Sequence, residues 1–550
     1  MRKLYIFLLL FFLLPVSVAG QSYLKQPKVK QSLNYNSTAL NIQATKFKQI
    51  LYVLGNAYVD TINLEKLSED AMIKTMEELD PHSVYISAKD VKEMEEPLVG
   101  KFEGIGIEYA IIKDTLTVQS VIPGGPSEKV GLHAGDKINR VDDKVVSNTS
   151  LTQTKVLKLL RGDKGTKVKV GVIRRGVKGE LEFVITRDKI PLNTVTSAYQ
   201  IGEGIMYVRV SNFGAETYEE IMNPVLGGSV KNGLILDLRG NGGGYLSAAL
   251  RLVNEFLQKD QLILYTEGRA VTRTDDFADG TGKLQSIPLV VLIDENSASA
   301  SEIVAGAVQD WDRGTVIGRR SFGKGLVQQE YPLQDGARIR VTVARYHTPS
   351  GRVIQSPYEM GKAMEYYRNF YERFANGEQF NLDSIKINDS LKFKTLKLGR
   401  TVYGGGGIIP DIYIPMDTSY YSKSYIAAVN RGILSDFVSI YADSHRKEFE
   451  KKYGIFSAAQ QKEQNDKVFR KFVDNYSVSD AYLKEFLRYS EEKGVKFTSE
   501  ELEKSGGELK SMLKGLIVRN LYGLDYYIRY DNLTDKEVQR ALRKLTDKDL

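Results

Sequence analysis

The sequence predicts a multidomain α/β protein. A βα-layered core carries an inserted small β-barrel domain, with helical regions at both ends. Three observations predict this. From Thr194 onward, β-type and helix-type runs alternate, as they do in a layered βα sheet. Between Phe102 and Ile185, short β-type runs are broken by glycine- and proline-rich turns. Before and after these regions, apolar residues recur every three or four positions among charges, the pattern of amphipathic helices.

The 550 residues suggest about three or four domains, and 42% hydrophobic with 26% charged residues is ordinary for globular protein. The net charge of +7 is spread along the chain. No basic block with interleaved aromatics occurs, so nucleic acid is not an expected partner. The absence of cysteine excludes thiol catalysis, thiolate metal sites, disulfides and lipid attachment to an N-terminal cysteine. The four histidines, His82, His133, His347 and His445, are scattered and form no HExxH arrangement. A zinc site is therefore not expected.

Arg2-Lys3 precede an almost wholly apolar run from Leu4 to Leu14, followed by Pro15-Val-Ser-Val-Ala19-Gly20. This reads as a secretory signal peptide cleaved after Ala19 or Gly20, placing the protein outside the cytoplasm, in a periplasm or cell envelope. An uncleaved anchor is the alternative, although the run is short for a membrane span. Gln21 to about Asn41 is polar and expected to be a flexible leader. From Ile42 to about Leu79 the spacing is helical, with Phe47, Ile50, Leu51 and Leu54 on one face. Asp80-Pro81 ends it, because proline disfavours helix at the residue before it. A short charged helix follows, from Ala88 to about Glu96.

The barrel region opens on Gly104-Ile105-Gly106-Ile107 and continues through Val121-Ile-Pro-Gly-Gly-Pro-Ser-Glu-Lys-Val-Gly131-Leu-His-Ala-Gly135-Asp-Lys-Ile138. Together these resemble a PDZ domain. The resemblance implies that Gly104, Ile105, Gly106 and Ile107 form the loop whose backbone N–H groups capture a peptide's terminal carboxylate, while the peptide adds a strand to the sheet edge.

In the core, Leu289-Val-Val-Leu-Ile293 reads as a buried strand and Ile303 onward as a helix, with Asp294-Glu-Asn-Ser297-Ala-Ser299-Ala-Ser301-Glu302 between them. Small polar residues there sit at the carboxyl end of a sheet, where open α/β folds place their sites. A serine in that position is a candidate nucleophile next to a helix N-terminus. Taken alone, Ser299-Ala-Ser-Glu302 fits a helix capping box better. Lys324 lies between glycines in Phe322-Gly-Lys-Gly325 and is a candidate base, although an exposed turn lysine is the commoner reading. Arg239-Gly-Asn-Gly-Gly-Gly244 follows another buried strand and can aim N–H groups at an oxyanion or simply open a helix; it lacks the ending of a phosphate loop. Residues 360–393 look like an insertion or helical excursion. Helical patterns at Ala458–Phe472, Ala481–Tyr489 and Leu509–Tyr522 mark the tail.

These blocks together resemble the C-terminal processing peptidases, or tail-specific proteases, over about Ile50 to Pro415. The matching segments are Leu79-Asp-Pro-His-Ser-Val-Tyr-Ile86, Asp237–Gly244, Ser297–Glu302, Phe322–Gln328, Thr348-Pro-Ser-Gly-Arg352 and Gly407-Ile-Ile-Pro-Asp411. The resemblance implies a crotonase-like core with a Ser-Lys dyad, chemistry that needs no metal or other cofactor. Ser299 is then the nucleophile, Lys324 the general base, and Gln328 the residue orienting the lysine. The oxyanion donors are the N–H groups of Ala300 and of Gly243 or Gly244, with Gly244 preferred. Gly242 stands where many relatives have proline, a difference in loop stiffness rather than chemistry.

The expected organisation is signal peptide 1–20, leader 21–41, N-terminal helical region 42–97, PDZ domain 98–188, serine protease core 189–419 and helical extension 420–550. The expected function is an exported serine endopeptidase whose PDZ domain recognises apolar C-termini. Its partners are protein or peptide substrates with free C-termini, with an adaptor protein and self-association as further candidates. A non-catalytic PDZ scaffold is the main rival. A crotonase-like acyl-CoA enzyme is disfavoured by export and by the PDZ domain.

Overall fold

A computed structural model describes residues 37–112, 114–122, 124–454 and 462–546. The expected signal peptide, residues 21–36 of the expected leader, Pro123 and residues 458–461 lie outside them.

The core is a six-stranded sheet in the order Val195–Gly202, Ile205–Val210, Gly233–Asp237, Leu289–Ile293, Thr315–Gly318, Ile412–Tyr413. The first strand is antiparallel to the second and all later pairs are parallel. Gly233–Asp237 and Leu289–Ile293 are buried at every residue, which explains their unbroken apolar character. Alternate side chains face opposite layers. Leu234, Leu236, Val291 and Ile293 pack against the helices Leu246–Phe256 and Ala300–Asp310. Ile235, Val290 and Leu292 pack against Ile528, Val538 and Ala541 of the last two helices, Leu524–Asp531 and Lys536–Thr546. The end of the C-terminal extension is thus the second covering layer of the core sheet rather than an appendage.

A second sheet joins Leu262–Glu267, Thr274–Phe277, Leu326–Pro332 and Arg338–His347. Its outer strand is Val84–Ile86, which pairs antiparallel with Arg338–Arg340. That pairing delivers the Asp80–Ser83 turn to the core. The expected single helical run over 42–79 is two helices, Ser37–Ala57 and Leu64–Glu77. The second is capped by Asn63, whose side chain accepts the Lys66 N–H at 2.9 Å. The first begins inside the expected leader, and its Phe47, Ile50 and Val53 are exposed.

The inserted barrel runs in the order Ile107–Ile112, Thr115–Val121, Lys137–Val141, Lys167–Ile173, Leu181–Thr186, with all pairs antiparallel. Leu116, Ile138, Val170 and Ile185 form its core with Val156 of the helix Gln153–Leu160. Chain entry and exit pair as a two-stranded ribbon, Lys101–Gly104 against Asp188–Pro191. The barrel also touches the helix Ile433–Tyr453, where Lys137 Nζ meets Asp443 Oδ2 at 3.3 Å.

The expected excursion over 360–393 is the helix Ala363–Ala375 followed by short turns and the strand Lys392–Lys394. The tail helices are Lys462–Asn475, Asp480–Glu492 and Ser499–Tyr522, joined by Lys423–Asn430 and Ile433–Tyr453 around Phe437, Phe472, Phe486 and Leu513.

Candidate active site

The turn after Leu289–Ile293 presents three serines with different fates. Ser297 is fully buried; its Oγ donates to the Leu238 carbonyl at 2.8 Å and accepts the Asp294 N–H at 2.9 Å. Ser301 is also fully buried, and its Oγ donates to the Asn241 carbonyl at 2.9 Å. Ser299 is partly exposed. Its backbone has φ 55° and ψ −113°, a conformation costly for a non-glycine residue and often found at functional sites. The helix Ala300–Asp310 starts directly behind it, so the first-turn N–H groups and the positive end of the helix dipole lie at the serine.

Glu302 performs half of the expected capping box, accepting the Ser299 N–H at 2.8 Å. It does more than cap. The same carboxylate accepts the N–H groups of Gly323 (2.7 Å) and Lys324 (2.9 Å) and the hydroxyl of Ser321 (2.5 Å). Burial pushes its pKa up to about 7, against the pull of those four donors. Tyr346, also buried, reinforces the link by donating to the Lys324 carbonyl at 2.8 Å and the Ser299 carbonyl at 3.3 Å.

Lys324 is half-buried rather than an exposed turn residue. Its flanking glycines permit the packing: a Cβ on Gly323 would lie 2.2 Å from Ser356 Oγ, and one on Gly325 would lie 2.8 Å from the Gln355 nitrogen. Burial first, then the Arg340 charge, lowers the lysine pKa, while Glu302 and Asp80 oppose the shift. No hydrogen bond among the described residues joins the Ser299 and Lys324 side chains; their connection runs through Glu302 and Tyr346. Gln328 lies at a register shift in Leu326–Pro332, and its amide donates to Thr342 Oγ1 at 3.4 Å.

The glycine loop lies against the serine. A Cβ on Gly243 would fall 2.8 Å from both Ser299 Cβ and the Ala298 carbonyl oxygen. The Gly243 N–H is already engaged, donating to Asn241 Oδ1 at 2.8 Å, which favours Gly244 over Gly243 as an oxyanion donor. Gly244 bridges to Phe213, with no room for a side chain: its Cβ would lie 2.1 Å from the Phe213 carbonyl oxygen. Ala300, the other expected donor, is the first residue of the helix and is buried.

In the barrel, Gly104 ends the entry strand and Ile107 begins the edge strand. Gly106 has φ +75°. The Ile105 carbonyl accepts from Ser127 N (3.1 Å) and Oγ (2.7 Å), and the Gly106 carbonyl accepts the Ile122 N–H at 3.1 Å. The loop is thereby anchored at the end of an edge strand, the geometry needed for strand addition.

Residues 204–359 match Peptidase family S41 and residues 104–185 match the PDZ domain family. The carboxy-terminal-processing protease of Bartonella bacilliformis is 37% identical over 320 residues, which are 57% of this chain and 73% of that protein. The chain belongs to the carboxy-terminal processing protease family. A carboxy-terminal processing protease of Bacillus subtilis is 35% identical over 316 residues, 56% of this chain and 65% of that protein. Among solved structures, the photosystem II D1 C-terminal processing protease covers 67% of this chain and 92% of its own, at 26% identity and TM-score 0.34. The peptide-bound PDZ domain of a carboxy-terminal protease from Vibrio cholerae is 33% identical, covering 17% of this chain and 99% of its own, with TM-score 0.16. Residues 424–523 match a family of unknown function.

The fold also brings to the site side chains whose role is not legible in the sequence. Asp80 accepts from the N–H groups of His82 (2.9 Å) and Ser83 (3.0 Å), and from the hydroxyls of Ser83 (2.5 Å) and Thr342 (3.0 Å). It therefore stands behind Thr342 and Gln328. His82 packs edge-on to Tyr366, with ring centroids 5.3 Å apart; burial and then the Lys324 charge lower its pKa to about 4, so it is neutral. The Asp80-Pro-His-Ser turn was legible as a helix stop and a family block, but its approach to Lys324 is tertiary. Glu302 was legible only as a cap.

Proposed function

We propose that this protease is an exported endopeptidase that cleaves proteins from or near their C-terminal tails, with Ser299 as nucleophile and Lys324 as general base. One observation carries the assignment: of the three serines, Ser299 alone is partly exposed, on a strained turn tied to Lys324 through Glu302. Neutral Lys324 removes the Ser299 hydroxyl proton as Oγ attacks the scissile carbonyl carbon. The N–H groups of Gly244 and Ala300 hold the oxyanion. Collapse of the intermediate breaks the C–N bond, and the Lys324 ammonium returns its proton to the leaving amine. A water, deprotonated by Lys324, then attacks the acyl ester; the C–Oγ bond breaks, and Lys324 returns that proton to Ser299 Oγ, freeing the acyl product as a carboxylic acid. Gln328, held by Thr342, is assigned the orienting role that the family resemblance implies.

The PDZ domain recognises the substrate's apolar C-terminus through Gly104–Ile107, and the first twenty residues direct export. An adaptor or self-association would be an additional layer of control. Incubating wild type, Ser299→Ala and Lys324→Ala with an unstructured test protein, with and without candidate adaptors, tests the reading. Cleavage by wild type alone is expected. Equal cleavage by both variants would overturn the dyad. N-terminal sequencing of the secreted protein tests export.

A further inference from the structure

We infer that Glu537, in the first turn of the final helix Lys536–Thr546, is a positioning residue for the active site. The inference rests on the assignment of Ser299, Lys324 and Gly244 above. All three of their loops carry a charged residue of one ion-pair cluster, and this cluster meets the C-terminal helix. Arg239 opens the glycine loop, Glu295 lies in the serine turn, and Arg319 lies five residues before Lys324. Glu537 bonds Arg239 Nη1 through one carboxylate oxygen and Arg319 Nη1 through the other. Arg319 Nε reaches Glu295 Oε2 at 2.8 Å. Arg239 is further held by Asp535 at 2.8 Å and by fully buried Asp237 at 2.7 Å. Every side chain in this cluster is at most 16% exposed, so solvent screens the charges little.

The attachment point is rigid. Asp535 Oδ1 accepts the Val538 N–H at 2.8 Å, fixing the start of the helix. Val538 and Ala541 lock the helix onto the core sheet, and a Cβ on Gly233 would strike Leu545 at 2.7 Å. A carboxylate on such a helix sets the relative position of the oxyanion loop and the lysine loop. Catalysis is sensitive to misplacement of this kind even where binding is not. The tail of this chain therefore completes the back of its active site.

The test uses the full chain. Wild type, Ser299→Ala, Glu537→Gln, Arg319→Gln and the Glu537/Arg319 double variant are compared. The readouts are the rate at which a fluorophosphonate phosphonylates the active-site serine, kcat and KM on an unstructured substrate, and Tm. Glu537→Gln is expected to slow phosphonylation and kcat about ten-fold or more, with KM within about two-fold, at temperatures well below its Tm. The double variant should be no slower than the slower single, because both act through one contact. Phosphonylation and kcat of Glu537→Gln at the wild-type level, with wild type labelled, would overturn the positioning role alone. Failure of wild type to label at Ser299 would overturn the site assignment beneath it. If Glu537→Gln does not fold, Arg319→Lys decides: it keeps the charge but cannot fork between Glu295 and Glu537. Slowed labelling then supports the inference, and wild-type labelling overturns it.

Discussion

Ser299 and Lys324 donate their backbone N–H groups to the same oxygen, Oε2 of Glu302, at 2.8 and 2.9 Å. One buried carboxylate thus sets the spacing of two segments that are distant in sequence. A glutamine offers a single acceptor oxygen and adds donors, so Glu302→Gln leaves at least one buried N–H unsatisfied, at a cost of about 1–3 kcal/mol. Its kcat is expected to fall by about 10- to 100-fold with KM little changed, measured on an unstructured substrate. Glu302 also titrates. Its pKa rises from 4.5 unfolded to about 7 folded, so the folded state binds more protons in that window. Stability should fall as pH rises from about 4.5 to about 7, and denaturant melts of Glu302→Gln should lack this component.

The lysine predicts a pH profile. With its pKa lowered below 10.5 by burial, the kcat/KM of wild type should rise with pH and level off before 10.5. Between the folded pKa and 10.5 the unfolded chain binds the extra proton, so stability rises with pH across that window. Lys324→Met removes a buried, poorly paired charge. It should melt above wild type at pH 7, with the gap narrowing toward pH 10.5, while losing cleavage. A melting point below wild type at pH 7 would count against the buried-lysine reading.

Two neighbouring glycines should behave oppositely. A Cβ on Gly242 meets no atom within 4 Å, so Gly242→Ala should be neutral or stabilise by about 0.4–1 kcal/mol and keep activity. Gly244 has φ +147° and a Cβ clash at 2.1 Å, so Gly244→Ala should disrupt the loop and abolish turnover. Paired thermal melts and cleavage assays check both.

Thr342 connects Asp80 to Gln328. Thr342→Val keeps the volume but removes the hydroxyl, about 1 kcal/mol of hydrogen bonding. A three- to ten-fold loss of kcat is expected, with peptide binding to the PDZ domain unchanged by titration calorimetry.

The sequence made the layered core legible because continuous apolar runs such as Leu289–Ile293 admit little but a doubly covered strand. Such runs also imply a second cover for Ile235, Val290 and Leu292, but the sequence offers helices before the barrel, at 360–393 and in the tail, and does not say which of them supplies it. Periodicity identified tail helices, yet nothing local to Val538 and Ala541 says which surface they meet. In the sequence, only family likeness singles out Ser299 from Ser297 and Ser301. The physical distinction is that the other two hydroxyls are spent on the Leu238 and Asn241 carbonyls, contacts that exist only once the glycine loop and the serine turn are folded together. Glu302 was legible as a cap because capping is local, whereas its bonds to Gly323 and Lys324 are not.

The most direct measurement is covalent labelling of the full-length protein by a fluorophosphonate, followed by peptide mapping. A single adduct on Ser299, absent in Ser299→Ala and slowed in Lys324→Ala, is the expected result. An adduct on Ser297 or Ser301, or labelling of Lys324→Ala at the wild-type rate, would contradict the Ser299–Lys324 dyad.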